Sequence, residues 1–213
     1  MTQSNFDKAY NILKSHFERN KTPIIDLMSV QNDSPYRILL ATILSTRTKD
    51  EVTAKACQKL FASADNFDSL EKLSVEQIAD LIFPVGFYNE KAKHLHQLPQ
   101  VLQARFGGEI PHTMDELLQL PGVGRKVANL VLASVFQTPA ICVDTHVHRI
   151  FNRLGYLKTK SPLETEMSLR KKLPKKYWLT INGYMVSYGQ SICKPISPRC
   201  GDCEIEEWCG KKW

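Results

Sequence analysis

Helical periodicity runs through nearly the whole sequence, and it points to an all-α fold. Apolar residues recur three or four positions apart, as in residues 6–17, which places them on one face of a helix. Ser34 followed by Pro35 is typical of a helix N-cap and first helical position. Residues 140–143 form a short apolar run that could be a strand, but no second strand is present to pair with it. We therefore expect about ten helices joined by short loops.

Composition limits the class of protein. The chain has 213 residues, 43% of them hydrophobic, which suits one large or two small domains without a disulfide framework. No apolar run reaches the ~18 residues of a membrane span, and the N-terminus lacks the features of a signal peptide. We therefore expect a cytoplasmic protein that has no membrane partner. The net charge of +6 fits a polyanionic partner, although a basic surface without such a role is the alternative.

Residues 113–136 predict a helix, a tight glycine hairpin and a second helix. The first helix ends before Pro121, and the second begins near Gly124. Gly122 and Gly124 carry no side chains that would block a ligand. The amides of Gly122, Val123 and Gly124, with the helix N-terminus, could therefore bind an anion such as a DNA phosphate. A plain interhelical turn is the alternative.

Lys126 and Asp144 are candidate catalytic residues. Lys126 lies in the first turn after the hairpin, where the positive helix end and partial burial favour the neutral, nucleophilic amine. A surface lysine or a phosphate-binding cation is the alternative. Asp144 follows the apolar run and opens a helix, so its carboxylate could cap that helix. It could equally act beside Lys126 as a base or stabilise positive charge on a sugar.

A cysteine cluster near the C-terminus predicts a metal centre. Its spacing is C-x6-C-x2-C-x5-C, and a set of four thiolates serves either zinc or a [4Fe–4S] cluster. The single closely spaced pair favours iron–sulfur, because zinc sites usually use two such pairs. Lys194 and Arg199 lie in the intervening basic loop, where they could contact phosphates. The remaining Cys57 and Cys142 lie in apolar segments and are expected to be buried. The four clustered residues are Cys193, Cys200, Cys203 and Cys209.

Together these motifs resemble endonuclease III, the iron–sulfur member of the helix-hairpin-helix DNA glycosylases. The matching segments are LPGVGRK at 120–126, VDTH at 143–146 and the cysteine tail, in that order. The resemblance implies a two-lobed all-α fold. A six-helix barrel that contains the hairpin would span 28–138. A discontinuous second lobe, formed by 1–27 and 139–213, would carry the cluster loop at 193–209.

The resemblance also implies residue roles. Lys126 would be the nucleophile, Asp144 its acidic partner, and the four cysteines the ligands of a [4Fe–4S] cluster. The damaged base would be flipped out of the duplex. Phe87 corresponds to an apolar wedge inserted into DNA, with a core aromatic as the alternative. Arg47 departs from the family pattern, because many members have a glutamine there that fills the gap left by the flipped base.

The implied activity is that of a bifunctional DNA N-glycosylase and apurinic/apyrimidinic lyase of base excision repair. It would remove oxidised pyrimidines through a lysine Schiff base and cut 3′ of the site by β-elimination. Its partner would be double-stranded DNA with a damaged base or an abasic site, and a monomer would suffice. Two alternatives stay open. One is a glycosylase for a mismatched or purine lesion on the same scaffold, and the other is a non-catalytic DNA-binding iron–sulfur module.

Overall fold

The computed structural model describes residues 1–20 and 22–211, and within them the chain is helical without any strand. This confirms the all-α prediction; residues 140–143 are buried in irregular backbone. No helix in the described part is long and apolar enough to cross a membrane. Short 3₁₀ helices cover Lys175–Tyr177, Cys200–Asp202 and Glu206–Trp208. The twelve α-helices in these residues are α1 (Gln3–Arg19), α2 (Ile24–Val30), α3 (Pro35–Ser45), α4 (Asp50–Ser63), α5 (Phe67–Glu71), α6 (Val75–Ile82), α7 (Tyr88–Phe106), α8 (Met114–Leu117), α9 (Arg125–Ser134), α10 (Thr145–Arg153), α11 (Pro162–Lys172) and α12 (Ile181–Ser191).

The chain forms two compact units. The first combines residues 1–23 with the chain from Pro139 onward, and the second is Ile24–Thr138. The boundary expected at residue 28 therefore falls inside α2. That helix packs against α3, α4 and α9, so it belongs with the second unit.

Helix α3 is the central helix of the second unit. Ser34 caps it by accepting a hydrogen bond from the Arg37 amide, and Pro35 occupies the first turn, as the sequence predicts. Every residue from 38 to 44 is buried, because α3 contacts α2, α4, α7 and α9. The turn that follows Ser45 lies beside α7, because the Lys91 side chain of α7 donates to the Thr46 carbonyl at 2.6 Å.

The first unit is built around an aromatic core. The Phe6 ring of α1 lies 5.5 Å from the Phe151 ring and 4.9 Å from the Tyr156 ring, measured between centroids. Helix α12 packs against both α1 and α10. Fully burying a side chain such as Phe6 contributes about 1.5–3 kcal/mol. These contacts join the N-terminal helix to the C-terminal helices, and they position the start of α10 and the end of α12.

Candidate functional site

The glycine hairpin between α8 and α9 is shaped by packing as well as by backbone freedom. Gly122 has a φ of +76°, in the left-handed region that favours glycine. A Cβ at this position would lie 3.2 Å from the His94 Cβ and 3.3 Å from the Ile43 Cγ2. Gly124 is the N-cap of α9, and no side chain caps this helix. A Cβ at Gly124 would meet nothing within 4 Å. The glycine N-cap therefore leaves space for a ligand beside the N-terminus of α9, as an anion site requires.

Lys126 is the second residue of α9 and is half-buried. It follows the hairpin directly, so its amine extends from the positive end of the helix. Another lysine of the same unit, Lys91, is close enough to experience its charge. Burial, and secondarily the charge of Lys126, lower the pKa of Lys91 to about 8.

Asp144 is the N-cap of α10. Its Oδ1 accepts hydrogen bonds from the His146 amide at 2.8 Å and the Val147 amide at 2.9 Å. A carboxylate at a helix N-terminus is stabilised by the helix dipole. The capping role is therefore confirmed, and both amides bond the same oxygen, which leaves Oδ2 available to a second partner. Asp144 belongs to the first unit and Lys126 to the second.

Arg47 and Phe87 lie together on the second unit. The guanidinium carbon of Arg47 is 5.2 Å from the centroid of the Phe87 ring. Both residues have left-handed backbone, with φ of +52° and +60° respectively. Such a conformation in a non-glycine residue costs on the order of 1–3 kcal/mol and is concentrated at functional sites. Phe87 is 61% exposed, which excludes the alternative of a core aromatic.

The cysteine loop (residues 193–209) holds four thiols that are free and half-buried. They line one pocket together with Arg153, Arg199 and other residues of the loop. Three of the sulfurs accept hydrogen bonds. The donors are the Tyr188 hydroxyl to Cys203 at 3.2 Å, the Arg153 Nη1 to Cys193 at 3.5 Å and the Lys211 amide to Cys209 at 3.4 Å.

Four cysteine thiols around one pocket are a ligand set that either a zinc ion or a [4Fe–4S] cluster uses. A single zinc ion binds all four sulfurs at ~2.3 Å. In the described part of the chain, no group of three or more His, Cys, Asp or Glu side chains is already arranged to hold a metal ion. A four-iron cluster spreads its ligands around a larger body, and hydrogen bonds to the sulfurs are typical of such sites. Burial raises the pKa of the Cys203 and Cys209 thiols.

Two arginines of α10, which the sequence analysis missed, hold the start of the cysteine loop. Arg149 donates from Nε and Nη2 to the Cys193 carbonyl at 3.1 and 2.8 Å. Arg153 donates to the Lys194 carbonyl at 2.6 Å and the Pro195 carbonyl at 2.9 Å. The two arginines are four residues apart, next to the buried Ile150, so they lie on the same face of α10. This spacing was the feature of the sequence that could have identified them. Lys194 is consequently held half-buried at the base of the loop, whereas Arg199 is exposed.

Comparison with known proteins agrees with this geometry. The sequence profile of the HhH-GPD superfamily of base excision DNA repair proteins matches residues 40–175. Endonuclease III of Thermotoga maritima is 48% identical over 175 residues, which cover 82% of each chain. The chloroplastic endonuclease III homolog 2 of Arabidopsis thaliana is 42% identical over 82% of this chain, which spans only 47% of that longer protein.

A solved structure of a trapped endonuclease III–DNA covalent intermediate, in an estranged-adenine complex, has the same fold. It is 31% identical with a TM-score of 0.88, and the match covers 99% of this chain and 97% of that one. The chain therefore belongs to the HhH-GPD superfamily of base excision DNA repair proteins and, within it, to the endonuclease III family.

Proposed function

We propose that this protein is a bifunctional DNA N-glycosylase and apurinic/apyrimidinic lyase that removes oxidised pyrimidines from double-stranded DNA. The observation that carries the proposal is the placement of Lys126, an amine in the first turn of a helix whose N-cap is Gly124 of the glycine hairpin. The hairpin amides would bind a backbone phosphate of the damaged strand. This would bring the sugar of the flipped nucleotide to the lysine.

In the first step, the lone pair of the Lys126 amine attacks C1′ of the damaged nucleotide. The bond between C1′ and the base breaks, and the base leaves with the electron pair and gains a proton. The amine loses a proton. The C1′–O4′ bond then breaks, O4′ keeps the electron pair and takes up a proton, and a protonated Schiff base forms between C1′ and the lysine nitrogen. This iminium group makes the C2′ proton acidic. Removal of that proton expels the 3′ phosphate, so the strand is cut on the 3′ side.

Asp144 would serve this reaction through its charge. Its Oδ1 is held by the two amides of α10, so the carboxylate has a fixed orientation. The second oxygen could accept the proton that the lysine loses. The negative charge would also stabilise positive charge that develops on the sugar when the base departs. Capping and catalysis are compatible because they use different oxygens.

Replacing Asp144 with asparagine separates these two roles. Asparagine is as good an N-cap as aspartate, so we expect Asp144→Asn to keep its melting temperature. Base removal in a single turnover should fall about 100-fold or more, the usual contribution of a general base. Asp144→Ala is the matched variant, because it should lose both activity and about 1 kcal/mol of stability with the cap. Undiminished base removal by Asp144→Asn would show that the aspartate only caps the helix.

Cys193, Cys200, Cys203 and Cys209 would hold a [4Fe–4S] cluster. When bound, the cluster would supply a rigid anchor for the loop, and the proposed reaction needs no electron transfer from it. Lys194 and Arg199, which flank the loop tip, would contact phosphates of the duplex. Arg149 and Arg153 hold the first part of this loop through its backbone carbonyls, and Arg153 also donates to the Cys193 sulfur.

Phe87 and Arg47 would act on the duplex itself. Phe87 is an exposed aromatic ring at the tip of a turn, which suits insertion between bases. Arg47 would enter the gap left by the flipped base and donate hydrogen bonds to the base opposite it. An arginine differs from the usual glutamine in length and charge, so the preference for the opposite base would differ accordingly.

The proposed reaction uses one set of active-site residues per chain. A monomer would therefore suffice for it, in the cytoplasm or at the nucleoid of a prokaryote.

Borohydride trapping tests the proposal, because borohydride reduces a Schiff base to a stable bond between protein and DNA. Separate duplexes would carry a thymine glycol, an abasic site, an oxidised purine and a mismatch. We expect covalent adducts with the thymine glycol and abasic duplexes. Adducts with the abasic duplex and only a purine or mismatch substrate would favour the alternative specificity. The absence of any adduct would favour the non-catalytic DNA-binding module.

A further inference from the structure

A buried ammonium group lies beneath the turn that carries Arg47. Lys91 is in the first turn of α7, and only 6% of its surface is exposed. Its Nζ donates to the Leu44 carbonyl at 2.8 Å, the Thr46 carbonyl at 2.6 Å and the Thr48 Oγ1 at 3.3 Å. An ammonium has three N–H donors and no acceptor. The three contacts therefore satisfy it completely.

These acceptors lie at the end of α3, where a cation is most useful. Helix α3 ends at Ser45, so the carbonyls of its last turn lack partners within the helix. The negative end of the helix dipole also favours a positive charge there. Lys91 thus caps α3 from a different helix. It fixes the backbone on both sides of Arg47, through Thr46 and Thr48.

The same network extends to the Phe87 turn (residues 85–88). The Thr48 Oγ1 that accepts from Lys91 also accepts from the Gly86 amide at 3.2 Å. A Cβ at Gly86 would lie 2.5 Å from the Arg47 carbonyl oxygen, so the two turns touch backbone to backbone. In addition, the Lys91 amide donates to the Phe87 carbonyl at 3.0 Å. One residue therefore contacts both left-handed turns.

We propose that Lys91 is a positioning residue that locks the Arg47 and Phe87 turns into one arrangement, so that both side chains meet the base opposite the lesion together. The proposal rests on the proposed function of Arg47 and Phe87 at the duplex. Burying a cation near the charge of Lys126 is costly, and an apolar side chain would fill the same space without that cost. The donors of Lys91 therefore have a use beyond packing.

Lys91→Met tests this proposal, because methionine keeps an unbranched side chain but has no donors. The matched control is Lys93→Met on the same helix, where the lysine is exposed and pairs with Glu90. Base removal would be measured in single turnovers with each of the four bases opposite the lesion. We expect Lys91→Met to lose about tenfold in rate and most of its preference among the opposite bases, as coupled contacts predict. Lys93→Met should match the wild type.

A second readout isolates the chemical step at Lys126. A single-stranded abasic oligonucleotide has no opposite base, so trapping on it does not require Arg47 or Phe87. We expect Lys91→Met to trap it within about threefold of the wild type, because positioning acts only on the duplex. A severe loss on the single strand would overturn the proposal and indicate a direct role of Lys91 beside Lys126.

A double-mutant cycle with Arg47→Ala measures the coupling. If Lys91 acts through Arg47, Lys91→Met should add little to the effect of Arg47→Ala on opposite-base preference. Independent, additive effects would contradict the proposal. Lys91→Arg restores the charge and donors, and should recover part of the preference. Thr48→Val, which removes only the hydroxyl that links Lys91 to Gly86, should give a weaker form of the same defect if Lys91→Met fails to fold.

Proteolysis of the DNA-free protein separates this inference from the proposed function. Trypsin cleaves after arginine, and a locked turn resists it. We expect Lys91→Met to be cut after Arg47 about tenfold faster than Lys93→Met, as expected when hydrogen bonds that restrain a turn are lost. Equal cleavage rates would show that Lys91 does not restrain the turn. If the wild type traps no DNA, the proposed function fails. The proteolysis rates still show whether Lys91 restrains the Arg47 turn.

Discussion

Replacing Lys126 with glutamine should abolish borohydride trapping on both the abasic and the thymine glycol duplex. Glutamine has nearly the length of lysine, but its amide nitrogen cannot form a Schiff base. We expect strand cleavage at an abasic site to fall by at least about 10⁴-fold, the scale of losing a covalent nucleophile. Binding to the abasic duplex should weaken only slightly, because the hairpin amides remain and only one cation is lost. The measurements are adduct yield on a denaturing gel and affinity by fluorescence anisotropy.

Lys126→Arg is the control for charge, since it keeps the cation but supplies no nucleophilic amine. It should be as inactive as Lys126→Gln while binding DNA like the wild type. A persistent adduct in either variant would mean that another amine attacks the sugar. Lys91 would then be the first candidate, because it lies within range of the Lys126 charge.

Replacing Cys203 with serine should remove the metal centre. Cys203 is one of four half-buried thiols around the pocket, and the Tyr188 hydroxyl bonds its sulfur. A cluster held by three thiolates and a serine should be unstable, so we expect iron content to fall from about four to below one per chain. Visible absorption of the cluster should disappear with it. Duplex affinity should fall about tenfold, because the loop that carries Lys194 and Arg199 loses its anchor.

The matched control is Cys57→Ala. Cys57 is buried in the second unit, away from the cysteine loop in sequence, and burial raises the pKa of its thiol to about 12. This variant should keep its iron and absorption even if its melting temperature falls. Stoichiometric zinc in the purified wild type, without iron, would contradict the cluster. Full iron retention by Cys203→Ser would remove that residue from the ligand set.

Local chemistry explains why the hairpin and its neighbours could be predicted. Gly122 has a left-handed backbone, and Gly124 is the N-cap of a helix. Glycine is typical of both positions, so the residue type alone predicts the hairpin. The capping role of Asp144 follows in the same way, because it depends on amides two and three residues later. Cysteine spacing likewise predicted a candidate metal-binding loop, although spacing alone left zinc and iron–sulfur open.

Phe87 shows where residue type is insufficient. An aromatic residue after a glycine is as compatible with a core as with an exposed turn. Its exposure depends on the backbone contact between Gly86 and Arg47, which lie 39 residues apart in the sequence. The start of the second unit at Ile24 is a similar case, because the partners of α2 are α3, α4 and α9.

The sequence alone thus specified the helical class, the glycine hairpin, the lysine that follows it, the helix-capping aspartate and the cysteine loop. Each of these depends on residues within a few positions of one another, where propensity, capping and spacing operate. The role of Lys91 emerged only from the folded structure, because its acceptors lie 43 to 47 residues earlier in the chain. Arg149 and Arg153 likewise bond carbonyls of the cysteine loop that lie more than 40 residues away. A buried ammonium or guanidinium group gains its partners from packing, and packing is a property of the tertiary fold.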